Sequence, residues 1–183
     1  MGKIVITGCP RSGTTFASRL FKFNGIQVGH EKFDQGGISS WTLAGRCNTS
    51  PCGPSWNAVV DRYGQVDVHH QVRHPLDVMA SMFTLTEQSW QFAFKVIGQK
   101  YTTKRLYNAM VFWYEWNLRA AEMSVGTYRV EDIQDYFSLG QDYSNKKVNS
   151  RPHGEVTAAA CRAADKQLFA LIEDLATAYG FNI

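Results

Sequence analysis

Three groups of residues in this chain have the types and spacing to act on an anion. The first is Gly8-Cys9-Pro10-Arg11-Ser12-Gly13-Thr14-Thr15, directly after the strand-like run Lys3-Ile4-Val5-Ile6-Thr7. A β-branched strand that turns on glycines into a helix start gathers backbone N–H groups and the positive helix end around phosphate. The spacing fits the phosphate-loop pattern G-x-x-x-x-G-K-[ST], except that Thr14 stands where lysine belongs and the cation is Arg11, inside the loop. The second group is Arg73, at the end of a strand read over 65–72, with Ser81 further on. In phosphate-loop nucleotide hydrolases a neighbouring strand end supplies an aspartate for magnesium. Here it supplies a guanidinium, whose fork suits phosphate. A phosphate loop and a second cationic site together imply a nucleotide with two separate anionic ends. The third group is His30-Glu31, a pair able to act as general base beside the loop.

These residues need elements to position them. Residues 14–24 read as a helix with Phe16, Leu20 and Phe23 in a stripe, ended by Gly25. A short second strand spans 26–29. Residues 30–58, rich in Gly, Ser, Pro and Asn, read as a long loop with one helical turn, and loops of that length are usually functional. A third strand covers 65–72, and Pro75 at a first helical position starts a helix through Met79 and Phe83. Residues 87–98 are helical. The longest helix is 103–123, with Leu106, Met110, Trp113, Asn117 and Ala120 at helical spacing. A fourth strand is 127–130, the stretch 135–154 is polar and irregular, and a closing helix runs over 155–179 to Gly180. Strands alternating with helices predict one domain over 1–183. Its expected form is a three-layer α/β/α arrangement on a central parallel sheet, with right-handed crossovers.

With 183 residues, 44% hydrophobic and 19% charged, the composition is that of a soluble globular domain with a substantial core. A net charge of +3 demands neither nucleic acid nor an acidic membrane, so an anion site must come from local clustering. No run reaches transmembrane length, no secretory leader opens the chain, and Gly2 lacks the context for myristoylation. A cytoplasmic protein is expected. Cys9, Cys47, Cys52 and Cys161 have neither zinc-ribbon nor redox spacing; Cys47 and Cys52 could bridge in an oxidising compartment, but reduced thiols are the expectation. Oligomeric state is left open.

The segments Pro10-Arg11-Ser12-Gly13-Thr14-Thr15 and Arg73-His74-Pro75, with Asp77 and Ser81, resemble the two nucleotide motifs of sulfotransferases that use 3′-phosphoadenosine 5′-phosphosulfate (PAPS). The resemblance implies that Arg11, Ser12, Gly13, Thr14 and Thr15 hold the 5′ end, and that Arg73 and Ser81 hold the 3′ phosphate. It also implies a catalytic carboxylate after the second strand, Glu31, with His30 next, and Arg11 as the cation at the leaving oxygen. Tyr128-Arg129-Val130-Glu131-Asp132-Ile133 is similar to the strand that follows the long helix in that family. The Arg-Lys-Gly triplet of cytosolic members is missing; Arg151, in the basic stretch 146–154, could reach the 3′ phosphate instead, or the stretch is a solvated loop. Sulfuryl carries less negative charge than a γ-phosphate, so no metal is required. The expected acceptor is a hydroxyl or amine of a small molecule or glycan, and the product nucleotide is 3′-phosphoadenosine 5′-phosphate (PAP).

Two other readings stand beside this one. An atypical phosphate-loop kinase or NTPase would use Glu131 or Asp132 for magnesium; a regulatory protein would keep the nucleotide pocket without catalysis. Further residues have both functional and packing readings. Phe33, Trp41 and Trp56 could stack on adenine or a sugar, or plug the core beneath the long loop. Phe112 to Trp116 reads as packing, and of His69 and His70, on opposite faces of a strand, one is expected in the core.

Overall fold

The computed structural model describes residues 2–140 and 154–183. Five strands form one all-parallel sheet: β1 (Ile4–Gly8), β2 (Val28–His30), β3 (Gly37–Ser39), β4 (Asp67–Val72) and β5 (Gly126–Arg129), in the spatial order β2-β3-β1-β4-β5. Helices cover both faces, giving the expected three layers. They are α1 (Thr14–Phe23), α2 (Trp56–Tyr63), α3 (Pro75–Met82), α4 (Glu87–Ile97), α5 (Arg105–Glu122), α6 (Ile133–Tyr136), α7 (Ala158–Ala164) and α8 (Lys166–Ala178).

Strand alternation sorts the core. Ile4 and Ile6 of β1 face α1, packing with Leu20 and Phe21. Val5 faces the other way, and its register partners Ile38 and Val68 form a row with it against Val59 of α2. The largest cluster lies under α5, where Phe112, Trp113 and Trp116 are all fully buried against α3, α4 and α8. The aromatic run in the long helix is therefore packing. At 25 cal/mol per Å² of apolar area, each such ring contributes roughly 3 kcal/mol or more.

Three departures from the sequence reading have local causes. The segment 30–58 holds β3 and the start of α2, which runs on to Tyr63, as well as a 3-10 turn at Trp41–Gly45. The link from β2 to β3 is short for a parallel crossover, and this is possible because each strand has only three residues to retrace. The closing helix is two helices, broken where Asp165 turns extended and its side chain caps the Leu168 amide.

Candidate functional site

The chain leaves β1, builds β2 and β3 on one side, and then crosses to build β4 and β5 on the other. That reversal opens a crevice at the carboxyl ends of the strands, where open parallel sheets bind ligands. A cleft of about 450 Å³ lies there, lined by loop residues 10–11 and 13–16, His30-Glu31, Arg73, Ser81 and residues 84–86 and 88–89, with Trp41 and Cys52 on its other wall.

The loop's shape follows from its neighbours. A β-carbon on Gly8 would stand 2.2 Å from the Gln71 carbonyl oxygen, so only glycine allows β1 and β4 to meet there. Gly13 sits at φ +102°, where its β-carbon would also press on Val130 and Gln71 at 2.9 and 3.0 Å. Arg11 is left-handed as well, at φ 72°. Beneath the loop, Gln71 Nε2 donates to the Ser12 carbonyl (2.7 Å) while its Oε1 accepts from the Tyr128 hydroxyl (2.9 Å). Ser39 Oγ donates to the Thr14 carbonyl (2.9 Å). The loop amides and the N-terminus of α1 therefore face the cleft on a braced support, which suits an anion.

Arg11 spans the cleft. Its Nε donates to the Ser81 carbonyl (3.3 Å) and its guanidinium to the Thr84 hydroxyl, joining the loop to the end of α3. Arg73 stands at the tip of β4, its side chain 35% exposed, and pairs with Asp77 one turn along α3 at 3.3 Å. Both predicted cations and Ser81 thus share one cavity with Gly13, Thr14 and Thr15. The Ser12 hydroxyl is different. It is buried beneath the loop against Gly8, without a protein hydrogen-bond partner, so Ser12 serves the loop through its backbone. Arg151 and the rest of the basic stretch, to residue 153, lie outside the described residues.

His30 and Glu31 form the opposite wall. His30 Nε2 lies 3.0 Å from the Thr15 hydroxyl and 3.4 Å from that of Thr14. Burial lowers the His30 pKa, with Glu31 opposing and Arg19 adding to the shift, so the ring is neutral at pH 7. Glu31 adopts φ 52°, and its Oε1 is 3.9 Å from His30 Nε2. The same oxygen accepts from the Cys52 thiol at 3.1 Å. Burial first, and then the Glu31 carboxylate, pushes that thiol up to about 12, while a hydrogen bond from Trp41 acts the other way. All four cysteines carry free thiols.

Other candidates fall outside the cleft. Glu131 is exposed, and Asp132 is held by Arg129 through contacts of 2.7 and 3.1 Å. Phe33 and Trp56 pack around Tyr63 and Val59, and of the three loop aromatics only Trp41 reaches the cleft. His70 is fully buried between Thr127 and Asn117, whereas His69 contacts Tyr136. Residues the sequence reading missed are Gln71, Thr84 and Cys52. None of the three left a distinct signal: Gln71 follows two other polar residues, His69 and His70, in a strand that ends at Val72.

Fold and cleft define an α/β protein with an all-parallel sheet and a braced glycine turn opening onto a cationic crevice. No family model matches the chain, and no curated protein matches it. Among the described residues no group of three or more His, Cys, Asp or Glu is placed to hold a metal ion, and no helix is long and apolar enough to cross a membrane.

Proposed function

We propose that this protein is a sulfotransferase that moves a sulfuryl group from PAPS to a hydroxyl or amine of a small molecule or glycan. The observation that carries the reading is the convergence in one cleft of the glycine turn, Arg11, Arg73, Ser81 and Glu31, brought from four separate segments. The turn and α1 supply N–H donors for a 5′ phosphosulfate, and Arg11 stands beside them as the cation for the charge that develops on the leaving oxygen. Arg73 and the Ser81 hydroxyl offer a second anion site for the 3′ phosphate, one turn of α3 apart from Asp77's hold on the guanidinium.

The donor supplies an activated sulfuryl group; the chain must supply the base. Glu31 is the carboxylate in the cleft, and in its ionised form it takes the acceptor proton. Neutral His30, between Glu31 and the loop threonines, is next in line for that role and completes the wall.

PAP binding tests the reading without an acceptor. PAP should raise the melting temperature of the wild type by several degrees, as ligand binding to the native state requires. Arg73→Ala should remove most of that shift. No protection of the wild type, together with metal-dependent ATP turnover, would sink the proposal in favour of a kinase.

A further inference from the structure

Across the cleft from the glycine turn, the segment that carries Cys52 is built as a clamp on Glu31. It is tied down on one side by hydroxyls: Ser50 Oγ donates to Thr42 Oγ1 (3.0 Å), the Cys52 amide donates to Ser50 Oγ (3.3 Å), and Ser40 and Thr42 share a hydrogen bond of 2.9 Å. Trp41, which begins the same turn, is itself fixed in the core, its carbonyl accepting from the buried Trp116 indole at 2.9 Å. On the other side the segment meets Glu31 twice. The Cys52 thiol donates to the carboxylate at 3.1 Å, and Gly53, at φ +74°, lies so close that a β-carbon there would be 2.6 Å from the Glu31 carbonyl oxygen.

We infer that Cys52 is a positioning residue for Glu31, its thiol fixing the orientation of the carboxylate in the cleft. The inference rests on the reading of Glu31 as the base, but the contact itself can be measured without donor or acceptor. A hydrogen bond given to a carboxylate stabilises its charge, and the same contact must hinder ionisation of the thiol. Cys52 is accordingly no nucleophile; a thiolate beside Glu31 would place two negative charges together. The other groups that bear on Glu31 are His30 at 3.9 Å, Arg19 acting on His30, and Arg11 and Arg73 in the same cleft. None of these belongs to the clamp, so a change at Cys52 leaves them in place.

The test is the carboxyl-carbon NMR spectrum of the full chain at pH 7, with the Glu31 signal assigned by its loss in Glu31→Gln. In Cys52→Ala the Glu31 carboxyl signal should move from its wild-type position as the carboxylate loses its fixed partner. Cys52→Ser, which restores a donor, should return it toward the wild-type position. Reciprocally, Glu31→Gln should speed alkylation of Cys52 several-fold, as read by peptide mass spectrometry. An unmoved Glu31 carboxyl signal in Cys52→Ala, or an alkylation rate indifferent to Glu31→Gln, would overturn the inference. Either failure is separable from failure of the sulfotransferase reading, which is decided by PAP protection of the wild type.

Discussion

The two walls of the cleft are made by opposite means. The glycine-turn wall is local: residues 8–15 are consecutive, and their shape is set by backbone conformations and contacts too tight for a β-carbon, with the Gln71 and Ser39 side chains bracing the loop carbonyls from beneath. The base wall is assembled from separate stretches, with Cys52 joined to Glu31 and Trp41 through side-chain hydrogen bonds and His30 reaching across to Thr15 of the turn. A wall built from backbone tolerates almost no substitution at its glycines. A wall built from side chains can lose a contact and keep its fold, so its residues are free to answer to chemistry.

That contrast can be broken most directly at Gly13. Gly13→Ala forces a methyl group into a left-handed position 2.9 Å from Val130, and should cost about 2–4 kcal/mol in urea unfolding, with loss of PAP protection. A cost below about 1 kcal/mol would mean that the loop yields as easily as the opposite wall. The next effect concerns two histidines. His70, on β4 behind the loop wall, is lowered from 6.5 to about 4 by burial, while its hydrogen bond to Asn117 opposes the shift. The unfolded chain takes up this proton at higher pH than the folded one. His70's contribution is therefore complete above pH 6.5 and lost as pH falls toward about 4, a change of about 3 kcal/mol. Stability measured across that range should fall steeply in the wild type and more gently in His70→Gln. His30 shifts in the same direction, but its side chain is 30% exposed, so it contributes less to the acid loss. The smallest stability effect is expected at the base wall itself. Glu31→Gln keeps an acceptor for the Cys52 thiol and should change stability by no more than about 0.5 kcal/mol, while retaining PAP binding and abolishing transfer. A Glu31→Gln enzyme with full activity would move the base to His30.

The difference between the walls also explains what the sequence made legible. Glycines at fixed spacing, Pro75 at the start of α3 and the helical stripe of α5 are local signals, and they located β1, α1, β4, α3, α4, α5 and β5. Strand β3 has no such signal, because Gly37-Ile38-Ser39 is too short to show alternation. Helix α2 did carry a cap at Ser55, yet only Val59 of it is buried, so no apolar stripe announced it. Arg11, Arg73 and Ser81 could be found from their types and order. The Cys52 contact could not, since only folding brings a thiol 21 positions away to the carboxylate.

Gln71 has one more consequence. Through a single carboxamide the glycine turn is coupled to Tyr128 of β5, the strand at the sheet's edge, none of whose residues lines the cleft. A change at the sheet's margin that displaced Tyr128 would therefore strip one support from beneath the crevice without touching any residue that lines it.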